Sequence, residues 1–329
     1  MKIGHISDIH IDIGATRLGK LRLYKGQNET YLNRLKLLST IIDKLIDHKV
    51  DQIVISGDLF DKSKPYPQEY YDLDAIFRKV KDILILGYGN HDEFTGRGCG
   101  LQPFEAMGYK VALDFTRFDD TLYFAPWGVP IKEKLEGKIL VLHAGVRTND
   151  YSWVETEGEI GNYTLNELES LGCKAIMLGH HHNQCSLTRN IWYAGSPEVF
   201  NFGEENDSKG FLLWDIYDSN VEIHGISTEG LYPKYKTFTP EKFLQYKDKG
   251  IDAFIRIKGE VNESDKQDII KKVKEFDCLD YQLDLSIQHK NKRVLNLKGT
   301  SEEEILRNYL KAKNVENIPS LLKTHHEFD

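Results

Sequence analysis

Five short segments of the chain carry side chains that could bind metal ions. Each segment follows an apolar run and brings Asp, His or Asn into the next turn: SDIH, GDLFD, GNHD, LHAG and GHHH. They supply carboxylate, imidazole and amide groups without a thiolate, the donors that suit a divalent ion such as Mn²⁺ or Fe²⁺. The candidate residues are Asp8 and His10, Asp58 and Asp61, Asn90, His91 and Asp92, His143, and His180, His181 and His182.

The spacing within these segments selects among the candidates. Alternate residues of an extended chain point the same way, so Asp8 can pair with His10 and His180 with His182. One ion could not bind so many ligands with room left for water. The set suits two ions that share a bridging carboxylate. Two such ions sit roughly 3.5–4 Å apart and clamp both oxygens of a phosphoryl displacement.

The elements that must position these residues are short strands alternating with helices from Met1 to about Gly230. In layered α/β folds, the loops at strand ends form the ligand crevice. Gly57, Gly89 and Gly179 stand directly before three of the segments, where we expect glycine to let the chain turn sharply. The pattern predicts an α/β layered domain with a mixed sheet or two stacked sheets.

The residue pattern of the sequence changes after Leu231. The polar stretch 232–239 is our candidate linker. A strand, helix and strand follow in IDAFIRIKGE, ESDKQDIIKKVKEF and LDYQLDLSIQ, which predicts a compact βαβ-like unit. TSEEEILRNYLKAKN, from Thr300, begins with a capping box and predicts a final helix. We therefore divide the chain into domains at 1–232 and 233–300 and a C-terminal helical segment at 301–329, a possible docking element for a partner.

Composition excludes several classes of protein. With 43 Lys+Arg against 51 Asp+Glu the formal charge is −8, which disfavours a wholly basic surface but not a local basic groove. The hydrophobic fraction of 40% is enough for a packed core, and no apolar run approaches the roughly 18 residues of a membrane helix. The start MKIGHISD does not read as a signal peptide, and none of the cysteines is paired at CxxC spacing. We expect a cytoplasmic protein.

The series DxH, GDLFD, GNHD, LHAG and GHHH resembles the five motifs of calcineurin-like metallophosphoesterases. The following segment, NIWYAGSPEVFNFGEENDSKGFLLWDI, is similar to the one after the last motif in SbcD-type nucleases. These are the nuclease half of the SbcC–SbcD complex, the bacterial and phage counterpart of the Mre/Rad double-strand-break nuclease. The resemblance implies two stacked mixed β-sheets flanked by helices, with a small α+β domain that caps a DNA groove.

The resemblance also implies roles for the candidate residues. One metal would be bound by Asp8, His10, Asp58 and His182, and the other by Asp58, Asn90, His143 and His180, with Asp58 bridging. His91 would be the acid that steadies or protonates the leaving oxygen. Asp61 would accept a hydrogen bond from the other imidazole nitrogen of His91. Archaeal and eukaryotic members carry His at the position of Asp61, so a direct contact of residue 61 with the substrate phosphate is not carried over.

The activity implied is that of a Mn²⁺-dependent DNA nuclease subunit in repair or recombination. It would be a 3′–5′ exonuclease on double strands and an endonuclease on single strands or hairpins. The chain has no GxxxxGK[ST] loop, so ATP dependence would come from an SbcC-like ATPase partner. A homodimer is implied, through helices near 67–80 and 93–107. Two alternatives stay open: a phosphodiesterase for small or cyclic nucleotides, and a DNA-end-binding scaffold.

Overall fold

Two six-stranded sheets form the main part of the computed structural model, which describes residues 1–94, 98–148, 162–218 and 220–287. The first sheet has four strands from the amino-terminal third and two from beyond residue 209. Its spatial order is Val221–Ser227, Gly210–Ile216, Lys2–Ile6, Gln52–Ile55, Leu84–Gly87 and Lys110–Ala112. The strands from Lys2–Ile6 onward in that order are parallel, and the first two pair antiparallel.

The second sheet is also mixed, with a parallel centre. Its spatial order is Cys185–Ser186, Ile191–Tyr193, Ala175–Gly179, Ile139–His143, Leu122–Ala125 and Thr116–Arg117. The four inner strands are parallel and each edge strand is antiparallel to its neighbour. In the part of the chain that the structure describes, three two-stranded pairs lie outside the large sheets: Leu23–Tyr24 with Gln27–Asn28, Glu93–Phe94 with Gly98–Cys99, and Gly145–Arg147 with Asn162–Thr164.

Helices and short 3₁₀ turns connect and cover the strands. The α-helices are Glu29–Asp47, Pro67–Phe77, Gln102–Ala106, Leu165–Ser170, Pro240–Gln245 and Glu263–Glu275, and the 3₁₀ turns are Arg78–Val80 and Phe202–Glu204. In the predicted helix TLNELESLG, Thr164 and Glu167 form the capping box, which confirms that helix. Among the described residues, no helix is long and apolar enough to cross a membrane.

The two large sheets stack face to face. Alternate residues of each strand point to opposite faces of its sheet, so one face of each sheet packs on the other sheet and the second face points away from it. Ile3 faces a core shared by both sheets, whereas Ile6 packs on the helix side of the first sheet. Val141 belongs to the shared core, whereas Leu142 faces outward from the second sheet. The layers therefore run helices, sheet, sheet and outer elements, which confirms the predicted two-sheet α/β architecture.

A third sheet of three parallel strands lies beyond residue 233, in the order Lys234–Phe238, Ala253–Val261 and Asp280–Ile287. The first of these strands occupies the stretch predicted as a linker, so that prediction was wrong. Tyr235 and Phe238 are buried while their polar neighbours face outward, and the middle strand satisfies the backbone. We call residues 234–287 the small unit. The domain boundary after 232 stays a prediction, and the predicted final helix lies outside the described residues.

Candidate metal centre

The candidate ligands lie where five parallel strands of the two large sheets end. Because parallel strands present their carboxyl ends at one edge of a sheet, residues far apart in sequence meet there. Asp8 and His10 follow Lys2–Ile6, Asp58 follows Gln52–Ile55, Asn90 and His91 follow Leu84–Gly87, His143 ends Ile139–His143, and His180 and His182 follow Ala175–Gly179.

One group of donors comprises Asp8, His10 and His182, whose ligand atoms all lie within 4.8 Å of one another. The Nε2 atoms of His10 and His182 face each other at 3.1 Å. Asp8 and His10 are buried, and both carboxylate oxygens of Asp8 lie 3.1 Å from the backbone nitrogen of His180. These contacts bring three of the four residues expected at the first metal to one point.

A second group surrounds Asn90. Its Oδ1 atom lies 3.1 Å from His143 Nε2 and 3.1 Å from His180 Nδ1. Asp8, Asp58 and His143 again offer ligand atoms within 4.8 Å of one another. The structure therefore also brings together the residues expected at the second metal.

The carboxylate of Asp58 lies between the two groups. Its Oδ2 atom is 3.8 Å from His10 Nε2 and 3.5 Å from His143 Nε2. Ligands bound at about 2.1 Å around one ion lie about 3.0–3.4 Å apart, which matches the 3.1 Å spacings of His10 with His182 and of Asn90 with His143 and His180. The donor set and its geometry thus fit two divalent ions, with Asp58 in a position to bridge them.

The backbone at the centre is held in conformations that cost free energy. Four candidate ligands have positive φ angles: Asp8 at 52°, His10 at 52°, Asp58 at 50° and His180 at 102°. Residues with a Cβ rarely adopt such angles, and they persist only where surrounding contacts impose them. The positions of these four side chains therefore depend on the surrounding contacts that impose the backbone conformation.

Only one of the three glycines expected at turns, Gly57, has a positive φ angle. Gly57 has φ 121°, and a Cβ there would also lie 2.1 Å from His143 Nδ1. A Cβ on Gly89 would lie 2.1 Å from Asp58 Oδ1, and one on Gly179 would lie 2.2 Å from Ser7 Oγ. Gly89 and Gly179 have no positive φ, so a left-handed backbone conformation does not explain glycine at these two positions. They provide space for the ligands.

Neighbouring imidazoles lower the pKa of the buried carboxyl groups of Asp8 and Asp58. Burial alone would raise the pKa of Asp58. The imidazole of His143, with smaller contributions from His10 and His91, outweighs burial and holds that pKa below its ordinary value. Burial works against a charged His143, yet Asp58 raises the pKa of His143 to about 9. His143 must lose that proton before its Nε2 can bind a metal ion, so metal binding and proton release are linked.

His91 and Asp61 stand at the open side of the centre, and both side chains are 43% exposed. His91 Nδ1 lies 3.6 Å from Asp61 Oδ1 and 3.2 Å from the carbonyl oxygen of Asp61. Asp61 Oδ1 is nearer to His10, at 3.1 Å from Nδ1. Asp61 thus contacts the imidazoles of both His10 and His91. That Asp61 accepts a hydrogen bond from His91 and orients it stays a prediction.

Sequence reasoning did not assign roles to several residues that support the ligands. Glu204 Oε1 accepts a hydrogen bond from His182 Nδ1 at 3.0 Å, and its other oxygen pairs with the buried Lys209 at 2.8 Å. Burial opposes the charge on Glu204, but His182 and Lys209 lower its pKa to about 2. Both residues belong to the segment that resembles SbcD-type nucleases, which was the signal that could have found them.

Two further residues hold the loops of the centre. Asp92 is fully buried and accepts hydrogen bonds from the backbone nitrogens of Phe60 at 2.8 Å and Gly89 at 2.9 Å. The ring of Trp127 stacks on His180, with centroids 5.1 Å apart and planes at 27°. Asp92 therefore ties two ligand loops together, and Trp127 supports a ligand from the side.

Comparison with known proteins decides the family. The model of the calcineurin-like phosphoesterase family matches residues 1–213, which include every candidate ligand. The chain belongs to the calcineurin-like phosphoesterase family. This family is dimetal-dependent, in agreement with the two groups of donors.

Curated relatives extend the similarity of this calcineurin-like phosphoesterase beyond the matched domain. The DNA double-strand break repair protein Mre11 of Saccharolobus solfataricus is 26% identical over 304 residues, 82% of this chain and 72% of the relative. The SbcD subunit of the nuclease SbcCD of Staphylococcus epidermidis is 25% identical over 264 residues, 67% of each chain. A dimetal phosphatase of Danio rerio is similar in structure, with a TM-score of 0.41 and 12% identity over 69% of this chain and 96% of that one.

Proposed function

We propose that this calcineurin-like phosphoesterase is a DNA nuclease subunit that acts in the repair or recombination of DNA ends. Two observations support DNA as the substrate. Relatives named as a break-repair protein and as a nuclease subunit match 82% and 67% of the chain. The similarity to the first spans more residues than the family model, so it takes in part of the small unit.

The observation that carries the catalytic part of the proposal is the convergence of seven donor side chains beside one exposed histidine. We assign Asp8, His10, Asp58 and His182 to one ion and Asp58, Asn90, His143 and His180 to the other. Two bound divalent ions, for which we propose Mn²⁺, would supply Lewis-acid stabilisation of the charge on the phosphodiester and an activated water.

The chain's own residues would handle the proton on the leaving oxygen. The imidazole of His91 is exposed, belongs to neither ligand group of our assignment, and lies with its ring centroid 4.7 Å from that of His10. It is placed to donate a proton to the oxygen that leaves when the phosphodiester bond breaks. Its Nδ1 lies 3.2 Å from the carbonyl oxygen of Asp61 and 3.6 Å from the Asp61 carboxylate, contacts that can orient the ring.

A substrate comparison tests the proposal. Purified protein with Mn²⁺ should release nucleotides from an end-labelled DNA duplex and should also cut labelled hairpins and single strands. Bis(p-nitrophenyl) phosphate and cyclic nucleotides serve as the comparison substrates. Activity confined to the small substrates would reject the nuclease and favour a small-nucleotide phosphodiesterase. Tight binding of DNA ends without cleavage of any substrate would favour the scaffold.

The finer parts of the proposal concern polarity and partners. We propose 3′–5′ exonuclease action on duplex ends, a homodimer, and work with an SbcC-like ATPase, for which a helix in 301–329 would be a docking element. Support for the ATPase comes from the SbcCD complex to which one relative belongs, together with the lack of a GxxxxGK[ST] loop in this sequence. We keep the cytoplasm as the proposed location, where free cysteines such as those of this chain persist.

A further inference from the structure

A buried network of charges lies between the small unit and the metal centre. Arg17, Arg34 and Glu198 are 3%, 7% and 1% exposed. Glu198 Oε2 accepts from Arg17 Nη2 at 2.5 Å, and its Oε1 accepts from Arg34 Nε at 2.7 Å. Charges this deeply buried destabilise a protein unless every one is paired with good geometry. We call these three residues the buried triad.

One end of the buried triad holds a ligand loop. Arg34 Nη1 donates to the backbone carbonyl of His10 at 2.6 Å, and His10 is one of the residues with positive φ. The guanidinium of Arg34 also lies 4.8 Å from the centroid of the Phe200 ring. That ring makes edge contacts with the imidazoles of His10 and His182, each at 5.2 Å between centroids. Arg34 and Phe200 thus fix the backbone and the rings of two candidate ligands.

The other end of the buried triad reaches the small unit through Arg17, which lies over the rings of Tyr235 and Phe254 and makes a hydrogen bond to the Tyr235 hydroxyl. Arg17 Nη1 donates to the Tyr235 hydroxyl oxygen at 3.0 Å, and that hydroxyl donates to the carbonyl of Phe200 at 3.1 Å. Tyr235 lies in the strand Lys234–Phe238, and its ring packs on Phe202 and on Phe254 of the neighbouring strand. The hydroxyl oxygen of Tyr235 therefore contacts both Arg17 of the buried triad and Phe200, whose ring packs on the imidazoles of two candidate ligands.

We propose that Tyr235 is a positioning residue for the metal centre, so that the small unit sets the metal affinity of a site to which it contributes no ligand. The hydroxyl acts by two routes. By the first it orients Arg17, which with Glu198 positions Arg34, and Arg34 holds the backbone of His10. By the second it holds the carbonyl of Phe200, whose ring positions the imidazoles of His10 and His182. The inference rests on the metal centre of the proposed function but not on DNA as its substrate.

The test is the affinity of the purified full-length protein for Mn²⁺, measured by titration calorimetry with MnCl₂ on the metal-free protein. Tyr235→Phe keeps the ring that packs on Phe202 and removes only the hydroxyl. Residues that orient metal ligands typically change metal affinity by about 10–100-fold when replaced, so we expect at least about tenfold weaker binding. The electron paramagnetic resonance spectrum of bound Mn²⁺ should change as well, which a loss of packing alone would not cause.

Two further variants make the test specific. Tyr246→Phe is the matched control, because the Tyr246 ring packs on Phe238 and Phe276 inside the small unit. We expect its Mn²⁺ affinity to stay within about twofold of the unaltered protein. Arg34→Lys keeps the charge but loses the planar fork that reaches both Glu198 and the His10 carbonyl, so it should weaken Mn²⁺ binding like Tyr235→Phe.

The outcomes separate this inference from the nuclease proposal. Wild-type affinity and an unchanged spectrum in Tyr235→Phe would overturn the inference, even if the unaltered protein cuts DNA. Weakened Mn²⁺ binding in Tyr235→Phe would support it, even if the unaltered protein hydrolyses only bis(p-nitrophenyl) phosphate. Weakened binding in Arg34→Lys alone would also overturn it, because the effect would then be local to the ligand loop and independent of the small unit.

Discussion

Exposure distinguishes His91 from four of the candidate ligands. Asp8, His10, Asp58 and His143 are at most 4% exposed, as expected of ligands enclosed by their own loops. The side chain of His91 is 43% exposed, although it follows Asn90 directly in the chain. A partly buried candidate ligand, Asn90, and an exposed candidate acid, His91, thus come from neighbouring residues, so one turn could serve both metal binding and proton transfer.

Replacing His91 by Ala should remove most cleavage and leave Mn²⁺ binding nearly intact. General acid catalysis typically contributes 10²–10⁴-fold, so we expect kcat to fall by about that factor. Steady-state cleavage of the labelled duplex measures the loss. His224→Ala is the control, because His224 is an exposed histidine on an edge strand of the first sheet. Unchanged kcat in His91→Ala would rule out the role of His91.

Replacing Glu204 by Gln should weaken Mn²⁺ binding about 10–100-fold, because His182 then loses the carboxylate that orients its ring. Titration with MnCl₂ measures the change. The neighbouring Glu205 is the matched control, since its carboxylate accepts from Thr237 at 2.6 Å rather than from a histidine. Equal effects of Glu204→Gln and Glu205→Gln would show that the loop, and not the hydrogen bond, matters.

The positions of the candidate ligands could be predicted from sequence, whereas the contacts of the residues that support them could not. Each ligand lies within a few residues of the end of an apolar strand, so a local pattern locates it. Glu198 and Glu204 act through partners at Arg17, Arg34 and His182. Those contacts depend on the path of a loop across the fold, which no spacing in one sequence reveals. The shorter contact of Asp61 with His10 was missed for the same reason.

At the scale of elements, the close approach of the two large sheets is what lets their loops share one site. Gly87 is in the first sheet, and a Cβ there would lie 2.1 Å from ring atoms of Phe124 in the second. The sheets are therefore packed without spare space at this point. The predicted α/β layering followed from apolar strand patterns, whereas this contact depends on which strands become neighbours.

Gly87→Ala should lower the free energy of unfolding by about 1–3 kcal/mol, because the added methyl overpacks the core between the sheets. Urea unfolding followed by circular dichroism measures the change. Gly14→Ala is the control, since a Cβ there meets only Asp12 at ordinary contact distances of 3.4 Å or more. Equal stability of the two variants would mean that the sheets are less tightly stacked than described.

The strand Lys234–Phe238 shows where element prediction from sequence reached its limit. Three of its five residues are polar, so KYKTF was interpreted as a linker. Its burial comes from Tyr235 and Phe238, which belong to two separate apolar clusters, Tyr235 with Phe254 and Phe238 with Phe243. Strand formation here depends on pairing with Ala253–Val261, a partner that local sequence does not indicate.

At the scale of the whole molecule, the segment between the first strand and the first helix also contacts the small unit. Lys20 pairs with Asp280 at 2.7 Å, and Arg22 donates to the carbonyl of Leu279 at 2.9 Å. Basic side chains after the first ligand segment are thus engaged by the small unit. Sequence alone indicated a second unit of βαβ type but could not indicate which face of the first domain it would contact.

The central claim is that loops from both large sheets converge to hold two divalent ions. Anomalous diffraction from crystals soaked in MnCl₂ tests it most directly. We predict two manganese peaks roughly 3.5–4 Å apart, with the Asp58 carboxylate between them. Asp8, His10 and His182 should surround one peak, and Asn90, His143 and His180 the other. No peak among these residues, or a single peak that leaves one group without metal, would contradict the account.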